Sequence, residues 1–393
     1  MRLFLIAGEP SGDALGAALM AGLRAEAAAA GEATPQFDGV GGPLMAAQGL
    51  ASRFPMHELS VMGLAEVLPR YPALRRRMLA TAEAVADMRP DALVTIDSPD
   101  FCLRVAARAR RALPDLRVVH YVAPQVWAWR PGRAKRMARH VDHVLALLPF
   151  EPPYMEAAGM GCSFVGHPVA ARAPVTANEA AAFRDASGIA RDAPVALVLP
   201  GSRRSEVARH LPLFGAVIAG LAARRPGLRV ILPTLASVEA TVREAVAGWP
   251  GAAVILGAES TPAMRRTGFA AADAALAVSG TVSLDVAAAG VPMVVAYRLN
   301  PLSEAIMSRM VRIDTVTLVN LVSETRAVPE FLGRRATSQA ILPAFDALFE
   351  PGPAREAQIA AMDIALDRLG RGGPDPGLRA AQALRGYLGR PAA

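Results

Sequence analysis

Two carboxylates follow a short apolar segment of the sequence. Residues 92–96 are apolar apart from one threonine, and the next residues, "DSPDF", contain Asp97 and Asp100. In α/β folds, ligands and reacting groups gather at the carboxyl ends of strands, so both acids are candidates for catalysis. Asp97 or Ser98 could equally be the N-cap of a helix that begins near Phe101. The two roles are compatible, with one acid structural and the other exposed.

A glycine turn after residues 195–199 is suited to a diphosphate. It contains Gly201, Ser202 and Arg203, and a helical pattern follows. Backbone N–H groups at a helix N-terminus, with an arginine beside them, bind phosphate oxygens. The pattern G-x-x-x-x-G-K-[ST] is absent, so this turn is not a P-loop. The alternative is an ordinary strand-to-helix turn with solvated arginines.

A second turn of small residues follows residues 274–278. It contains Ser279, Gly280 and Thr281, and Asp285 lies in the first turns of the next predicted helix. Gly280 would let a ligand approach the backbone, and Asp285 could accept hydrogen bonds from ribose hydroxyls. An acid favoured by the helix dipole is the alternative for Asp285. Together the two turns favour a nucleotide site more than either does alone.

The first predicted strand, residues 3–7, also runs into a turn of small and acidic residues. Gly8, Ser11, Gly12 and Asp13 are its candidates for substrate binding. The turn does not match G-x-G-x-x-G, so a dinucleotide site is only weakly indicated. A tight turn in which Ser11 or Asp13 caps a helix is the alternative.

Apolar and basic residues adjoin one another in residues 61–77. Met62, Leu64 and Leu68 lie in the apolar part, and Arg75, Arg76 and Arg77 follow it. This combination is typical of a segment that docks on an anionic membrane surface. A core helix followed by a solvated run of charges is the alternative.

Residues 127–139 combine two tryptophans with five basic residues. Aromatic and basic residues together can bind single-stranded nucleic acid, but here they follow a predicted core strand rather than a motif that reads a groove. We interpret them as a cationic rim for phosphate or anionic lipid. A solvated basic helix with the tryptophans in the core is the alternative.

Short apolar runs alternate with segments of helical length along most of the chain, which predicts βαβ units and parallel sheets. The pattern occurs twice, on either side of a weakly periodic linker around residues 168–180. We therefore predict an α/β protein with a first domain over 1–168 and a second over 180–345. Residues 346–393 form a helical tail.

Composition limits the class of protein. The chain has 393 residues, 53% of them hydrophobic, and its most apolar long window, 274–297, is interrupted by turn residues as a strand, helix and strand would be. Two cysteines provide neither a disulfide framework nor a zinc site, which favours a reducing cytoplasm. The net charge of +7 indicates an anionic partner without choosing among nucleic acid, membrane and phosphorylated substrate.

Several of these stretches, taken in order, resemble the lipid-A-disaccharide synthase family. The matching segments span most of the chain and are "AGEPSGD" at 7–13, "GVGGPLM" at 39–45, "MGLAEVL" at 62–68, "IDSPDF" at 96–101, "HYVAPQVWAWRPGR" at 120–133, "LLPFE" at 147–151, "FVGHP" at 164–168, "LPGSRRSE" at 199–206, "SGTVSLD" at 279–285, "VVAYRLNPL" at 294–302 and "VPEFL" at 328–332. The resemblance implies a GT-B architecture, two Rossmann-like domains whose parallel sheets face a cleft. The first domain would bind the acceptor and the second the UDP-sugar, with the C-terminal helices returning to the first.

The resemblance also implies a reaction. UDP-2,3-diacylglucosamine would be joined to 2,3-diacylglucosamine 1-phosphate by an inverting β-1,6 transfer that releases UDP, with no metal and no other cofactor. The partners would be these two acylated substrates and the anionic surface of the inner membrane, and the protein would lie on the cytoplasmic face of that membrane. The resemblance implies no nucleic acid as a partner. It allows a homodimer as one assembly. Other GT-B enzymes, and a non-catalytic protein that binds membrane or nucleic acid, are the alternatives.

The resemblance assigns roles to particular residues. The family's essential aspartate lies in the motif matching "DSPDF", where we assign the base to Asp100 and a helper role to Asp97, the reverse order remaining open. Arg203 and helix N-termini would carry the charge of the leaving diphosphate, and Asn320 would lie on the nucleotide side. Two positions depart from the family pattern: Asp285 replaces the usual glutamate, and Val319 replaces the usual proline before Asn320.

Overall fold

The computed structural model describes residues 1–59, 64–127, 132–298 and 314–389. Met62, one of the residues assigned to membrane docking, lies outside these ranges, as does Trp129. The chain divides into two compact units. Unit 1 comprises residues 1–171 and 369–393, and unit 2 comprises residues 172–368.

Unit 1 is built on a six-stranded parallel sheet with the order β2-β1-β3-β4-β5-β6. Its strands are β1 (Arg2–Ala7), β2 (Gln36–Val40), β3 (Ala92–Ile96), β4 (Val118–Tyr121), β5 (His143–Ala146) and β6 (Gly161–Phe164). Its helices are α1 (Pro10–Ala29), α2 (Pro43–Ala47), α3 (Leu64–Met88), α4 (Pro99–Ala112), α5 (Gly132–Met137), α6 (Pro152–Glu156) and, from the C-terminus, α15 (Pro376–Leu388), with single 3-10 turns at Met56–Glu58 and Pro168–Ala171. Every residue of β3, β4 and β5 is buried, as continuous apolar runs require in a sheet covered on both faces.

Alternate residues of the unit 1 strands face two separate helical layers. One face packs against α3, α4 and α5, with Val105 and Met137 in its core. The other packs against α1 and α15, with Leu19 and Leu384 in its core. This two-sided covering is the layer arrangement that the alternating sequence pattern predicts, and the prediction of an α/β fold is confirmed.

Unit 2 contains a second six-stranded parallel sheet with the order β12-β11-β10-β7-β8-β9. Its strands are β7 (Val195–Leu199), β8 (Arg229–Pro233), β9 (Ala253–Leu256), β10 (Ala274–Ala277), β11 (Met293–Tyr297) and β12 (Glu330–Leu332). Its helices are α7 (Ala177–Ala186), α8 (Arg204–Arg224), α9 (Glu239–Val246), α10 (Pro262–Ala270), α11 (Val282–Ala288), α12 (Leu318–Ser323), α13 (Ser338–Asp346) and α14 (Pro353–Arg368), with single 3-10 turns at Gly333–Arg335 and Ala347–Phe349. The apolar window 274–297 is β10, α11 and β11, as predicted.

Helix α8 is the one described helix whose length and composition would suit a membrane span. Its residues Val207, Phe214, Val217 and Ile218 are fully buried in the core of unit 2. Its apolar character is therefore explained by packing on the sheet, as in the core helix of an α/β domain.

In each sheet the order of the strands reverses at one position: successive strands are added on one side of the first strand and later strands on its other side. In unit 1 the neighbours β1 and β3 flank that place, and in unit 2 the neighbours β7 and β10 flank it. Ligands of open parallel sheets bind outside the carboxyl ends of the strands at such a switch point. The turns after β1, β3, β7 and β10 are therefore where each unit is expected to bind its ligand, and they are the four turns that the sequence analysis singled out.

Candidate active site

The turns after β1 and β3 pack directly against each other at the unit 1 switch point. A Cβ atom added to Gly8 would lie 2.3 Å from Ser98 Oγ, and one added to Gly12 would lie 3.4 Å from the carbonyl oxygen of Ile96. Gly8 is therefore required for the approach of the two turns. Ser11, in the first turn of α1, is exposed on this side of the unit.

Asp97 and Ser98 have left-handed backbone conformations, with φ values of 53° and 43°. Such conformations in residues other than glycine cost roughly 1–3 kcal/mol each and persist only when surrounding contacts enforce them. Here the Asp97 N–H donates to the carbonyl of Tyr121 at 3.0 Å, and Asp97 Oδ1 accepts the N–H of Ser98 at 2.9 Å. Val122, at the end of the next strand, is also left-handed with φ 83°. Backbone strain is thus concentrated where β3 and β4 end.

The two aspartates of this turn have different surroundings. Asp97 is half-buried at the strand end, whereas Asp100 is exposed in the first turn of α4. An acid in the first turn of a helix interacts favourably with the helix dipole, which gives Asp100 a sufficient structural role. The assignment of the base to Asp100 stays a prediction, and the reverse order, with Asp97 as the base, is compatible with this arrangement.

Asp13 has a role that differs from the predicted one. It is buried, and its carboxylate accepts three backbone N–H groups, from Gly42 at 2.8 Å, Leu44 at 2.9 Å and Met45 at 3.0 Å. These groups form the start of α2, so Asp13 caps that helix from a distance. We therefore assign Asp13 to the support of the "GVGGPLM" loop. We no longer assign it a direct contact with substrate.

In unit 2 the turn after β7 presents a cation at the start of a long helix. Gly201 has φ 117°, and a Cβ atom there would lie 2.8 Å from Glu206 Cβ, so the position requires glycine on both counts. Ser202 and Arg203 are exposed, and Arg203 is the N-cap residue of α8. Arg203 Nη1 donates to Glu206 Oε1 at 3.1 Å. The guanidinium and the N-terminus of α8 together provide positive charge for a diphosphate.

The turn after β10 is open at its glycine. Gly280 has φ 149°, and a Cβ atom added there would meet nothing within 4 Å. Ser279 Oγ donates to the carbonyl of Val316 at 3.1 Å, which holds the 314–317 segment against this turn, and Thr281 is exposed. Asp285 is bound by Arg172, whose Nη1 donates to Asp285 Oδ1 at 2.5 Å. One oxygen of the Asp285 carboxylate, the group predicted to contact the ribose, is thus already bound to Arg172.

Asn320 is buried and its amide is satisfied within unit 2. Its Nδ2 donates to Thr315 Oγ1 at 3.2 Å and to the carbonyl of Val328 at 2.9 Å, and its Oδ1 accepts the N–H of Val328 at 3.0 Å. Glu330 accepts the N–H of Thr317 at 2.8 Å in the same cluster. Asn320 therefore shapes the segment that lies against Ser279, and a direct contact of its side chain with nucleotide is not retained.

Among the residues proposed to dock on a membrane, Leu64 and Leu68 lie on α3. Arg75 and Arg76 on the same helix are exposed. Arg77 instead makes a two-pronged ion pair with Glu58, at 2.8 Å and 2.7 Å, and lies over the ring of Phe54. Arg77 therefore holds α3 to the preceding segment.

Three further residues matter near these strand ends, and their roles are not predictable from a local motif alone. Arg172 pairs with Asp285 across 113 positions, a contact that no local pattern reveals. Glu206 lies in the matched "LPGSRRSE" segment, three residues after Arg203, a spacing that indicates an ion pair on a helix. Glu151 follows β5 and is buried, which raises its pKa to about 7. Within the described ranges, no group of three or more His, Cys, Asp or Glu side chains could hold a metal ion.

Solved structures with this fold include two whose descriptions name UDP or UDP-GlcNAc. The chain superposes on the S. aureus MnaA-UDP co-structure with a TM-score of 0.65 and 13% identity, covering 98% of this chain and 96% of that one. It superposes on the UDP-GlcNAc 2-epimerase from Neisseria meningitidis bound to UDP-GlcNAc with a TM-score of 0.63 and 12% identity, covering 99% and 100%. At these identities the likeness shows the fold alone, and it confirms the predicted GT-B architecture.

Sequence relatives identify the family. Residues 3–364 match the family model described as lipid-A-disaccharide synthetase. The chain is 58% identical to the lipid-A-disaccharide synthase of Ruegeria pomeroyi over 391 residues, covering 98% of this chain and 94% of that protein. It is 50% identical to the enzyme of the same name from Rhodospirillum centenum, with the same coverage. The protein is therefore a glycosyltransferase and belongs to the lipid-A-disaccharide synthase family.

Proposed function

We propose that this protein transfers 2,3-diacylglucosamine from UDP-2,3-diacylglucosamine to the 6-hydroxyl of 2,3-diacylglucosamine 1-phosphate, with inversion at the anomeric carbon. The family membership supports the disaccharide product. A UDP-linked donor is supported by two proteins of the same fold whose names include UDP and UDP-GlcNAc. Unit 1 would bind the acceptor and unit 2 the donor.

The observation that carries the mechanism is the half-buried Asp97 on the strained turn after β3. Asp97 Oδ1 is fixed by the N–H of Ser98, so the carboxylate is held in one orientation and its other oxygen is proposed to accept the acceptor's hydroxyl. As the hydroxyl oxygen bonds to the anomeric carbon, its proton moves to Asp97. The bond from that carbon to the diphosphate breaks, and its electron pair stays on UDP. A single base is sufficient for such an inverting transfer.

The charge that develops on the leaving diphosphate requires compensation. Arg203 and the N-terminus of α8 supply it in this proposal, because both are positive and Arg203 is exposed. The open Gly280 turn would receive the nucleotide, and Asp285 would accept a ribose hydroxyl through the oxygen that Arg172 does not bind. Asp13 and Asn320 would support the two sites from behind.

We further propose that α3 docks the protein on an anionic membrane, which would be the cytoplasmic face of the inner membrane. Both substrates carry acyl chains, so a donor and an acceptor must be drawn from a lipid surface. Arg75 and Arg76 are exposed on α3, and more cations lie on the helices packed on the same face of the unit 1 sheet. Cations near such a surface contribute about 1 kcal/mol each.

The test uses purified protein with acylated and unacylated substrates. With the acylated pair we expect disaccharide 1-phosphate and UDP, and with unacylated UDP-N-acetylglucosamine as donor we expect little product. Asp97→Asn should lower kcat by roughly 10²- to 10⁴-fold, the range for loss of a general base, with the Kd for UDP unchanged. Asp100→Asn, the matched control, should lower kcat by less than about tenfold.

Two outcomes would contradict the proposal. Equal losses of kcat in Asp97→Asn and Asp100→Asn would reject the assignment of the base. Absence of product from the acylated pair, in a preparation that binds UDP, would reject the reaction itself.

A further inference from the structure

His210 on α8 is fully buried, and both of its ring nitrogens are hydrogen-bonded. Nε2 accepts the backbone N–H of Arg298 at 2.9 Å, and Nδ1 lies 2.8 Å from the backbone carbonyl oxygen of Glu206. A nitrogen that accepts a hydrogen bond carries no proton, so Nδ1 must carry the proton and donate it to Glu206. The imidazole is therefore neutral, and burial lowers its pKa in agreement with that state.

These two bonds join distant parts of unit 2. Glu206 belongs to the first turn of α8, directly after the glycine turn of Gly201 and Arg203, whereas Arg298 follows the last residue of β11. Arg209 Nη1 also donates to the carbonyl of Arg298, at 3.2 Å. The peptide groups of Arg298 are thus held on both sides by α8. The start of α8 cannot rotate or slide without breaking these contacts.

The Glu206 side chain transmits this constraint to Arg203. Its Oε1 accepts from Arg203 Nη1 at 3.1 Å and lies 3.4 Å from Tyr297 Oη, the hydroxyl of the last residue of β11. The Tyr297 ring in turn lies 4.9 Å from the His210 ring. The position of the exposed guanidinium therefore depends on how α8 is set against the end of β11.

We propose that His210 is a positioning residue for the donor diphosphate: by tying α8 to Arg298, it holds Glu206 and Arg203 where Arg203 can receive the phosphate oxygens. This inference rests on the proposed donor site at Gly201–Arg203. It goes beyond that site because His210 itself is fully buried and acts through α8.

The two hydrogen bonds can be separated by substitution. In His210→Gln the amide lies where Nε2 lies and can still accept from Arg298, whereas in His210→Asn the amide lies where Nδ1 lies and can donate only to Glu206. A control for simple loss of core packing is Val217→Ala, a fully buried change on α8 nearly two turns further along the helix. All four proteins are compared by calorimetric titration with UDP, by donor KM and kcat, and by thermal unfolding.

We expect His210→Asn to raise the Kd for UDP and the donor KM by about tenfold, because the Arg298 N–H loses its acceptor and the start of α8 is no longer tied to the end of β11. The change in kcat should be smaller than the change in KM. His210→Gln should bind UDP within about threefold of the unchanged protein. Val217→Ala should lower the unfolding temperature and leave the Kd for UDP unchanged.

The result that overturns the inference is UDP binding by His210→Asn equal to that of the unchanged protein, or equal weakening in the asparagine and glutamine variants. Failure of the unchanged protein to bind UDP would instead reject the proposed donor site. A loss of UDP affinity in Val217→Ala of the same size as in His210→Asn would show that general destabilisation of α8 is the cause, and would also reject the role of His210.

Discussion

At the scale of single residues, Glu151 is the carboxyl group in the described part of the chain whose pKa is clearly raised. It is 3% exposed, and burial raises its pKa to about 7 although the N–H of Leu148 donates to its carboxylate at 3.0 Å. Between pH 4.5 and 7 the folded protein keeps a proton that the unfolded chain releases. The free energy of unfolding therefore loses a contribution as the pH rises through this window.

Glu151→Gln removes this dependence while keeping an oxygen that can accept from Leu148. The variant and the unchanged protein should have similar free energies of unfolding near pH 4.5. By pH 8 the variant should be the more stable by about 2–3 kcal/mol. Urea unfolding at both pH values measures the difference, and Glu244→Gln on the exposed side of α9 controls for the loss of one carboxylate. A difference between Glu151→Gln and the unchanged protein that is the same at both pH values would contradict the protonated state.

At the scale of elements, α15 completes unit 1 through contact with α1 at glycines. A Cβ atom on Gly377 would lie 2.6 Å from the carbonyl oxygen of Ala18, and one on Gly22 would lie 2.6 Å from the carbonyl oxygen of Gly377. The two backbones therefore touch, and Ala380, Ala381 and Leu384 of α15 are fully buried as a result. Helix α14, the other half of the C-terminal stretch, instead packs on α11 and α12 of unit 2.

Gly377→Ala should push α15 away from α1 and lower the free energy of unfolding by about 1–3 kcal/mol, the usual cost of overpacking. Gly386→Ala is the matched control on the same helix, because a Cβ atom there meets nothing within 4 Å. It should be neutral or stabilise by up to about 1 kcal/mol, since alanine favours helix over glycine. Equal effects of the two substitutions in denaturant unfolding would show that the contact between α1 and α15 is not close.

At the scale of the whole molecule, the net charge is +7, and one helical layer of unit 1 carries many exposed cations. Helices α3, α4 and α5 cover one face of its sheet. Their exposed cations are Arg70, Arg75, Arg76, Arg104, Arg108, Arg111, Lys135 and Arg136, which outnumber the exposed acids Glu83, Asp87 and Asp100 on the described parts of these helices. This positively charged layer of helices is suited to binding an anionic bilayer.

The double change of Arg75 and Arg76 to Glu should weaken binding to vesicles containing anionic phosphatidylglycerol by at least about tenfold, since each cation near the surface contributes about 1 kcal/mol. The control is the double change of Arg266 and Arg335 to Glu, because both residues are exposed in unit 2 and the net charge changes by the same amount. We expect the control to bind nearly as well as the unchanged protein in vesicle co-sedimentation. Equal weakening in both would mean that binding follows net charge and not α3.

The parallel strands and the turns after them were predictable from local patterns in the sequence. Apolar runs such as 92–96 and 195–199 are local signals, and burial on both faces of a sheet requires them to be continuous, so strands β3 and β7 were predictable. The glycine turn at Gly201 was also predictable, because a turn with positive φ is a local feature that favours glycine. The end of β3 also identified Asp97 and Asp100 as candidates, but not which of them is half-buried.

The contacts of the polar side chains became known only from the folded structure. Asp13 meets backbone N–H groups about thirty positions away, Asp285 meets Arg172, and His210 meets Arg298. Such pairs depend on which strands become neighbours and on how helices are set against them, which no local pattern specifies. The same holds for the C-terminal helices: α14 and α15 follow each other in the helical tail, and their division between the two units follows from the glycine contact of α15 with α1 and the packing of α14 on unit 2. Local chemistry therefore fixes which residues reach the sheet edges, and the register of the assembled fold decides which of them remain open to a ligand.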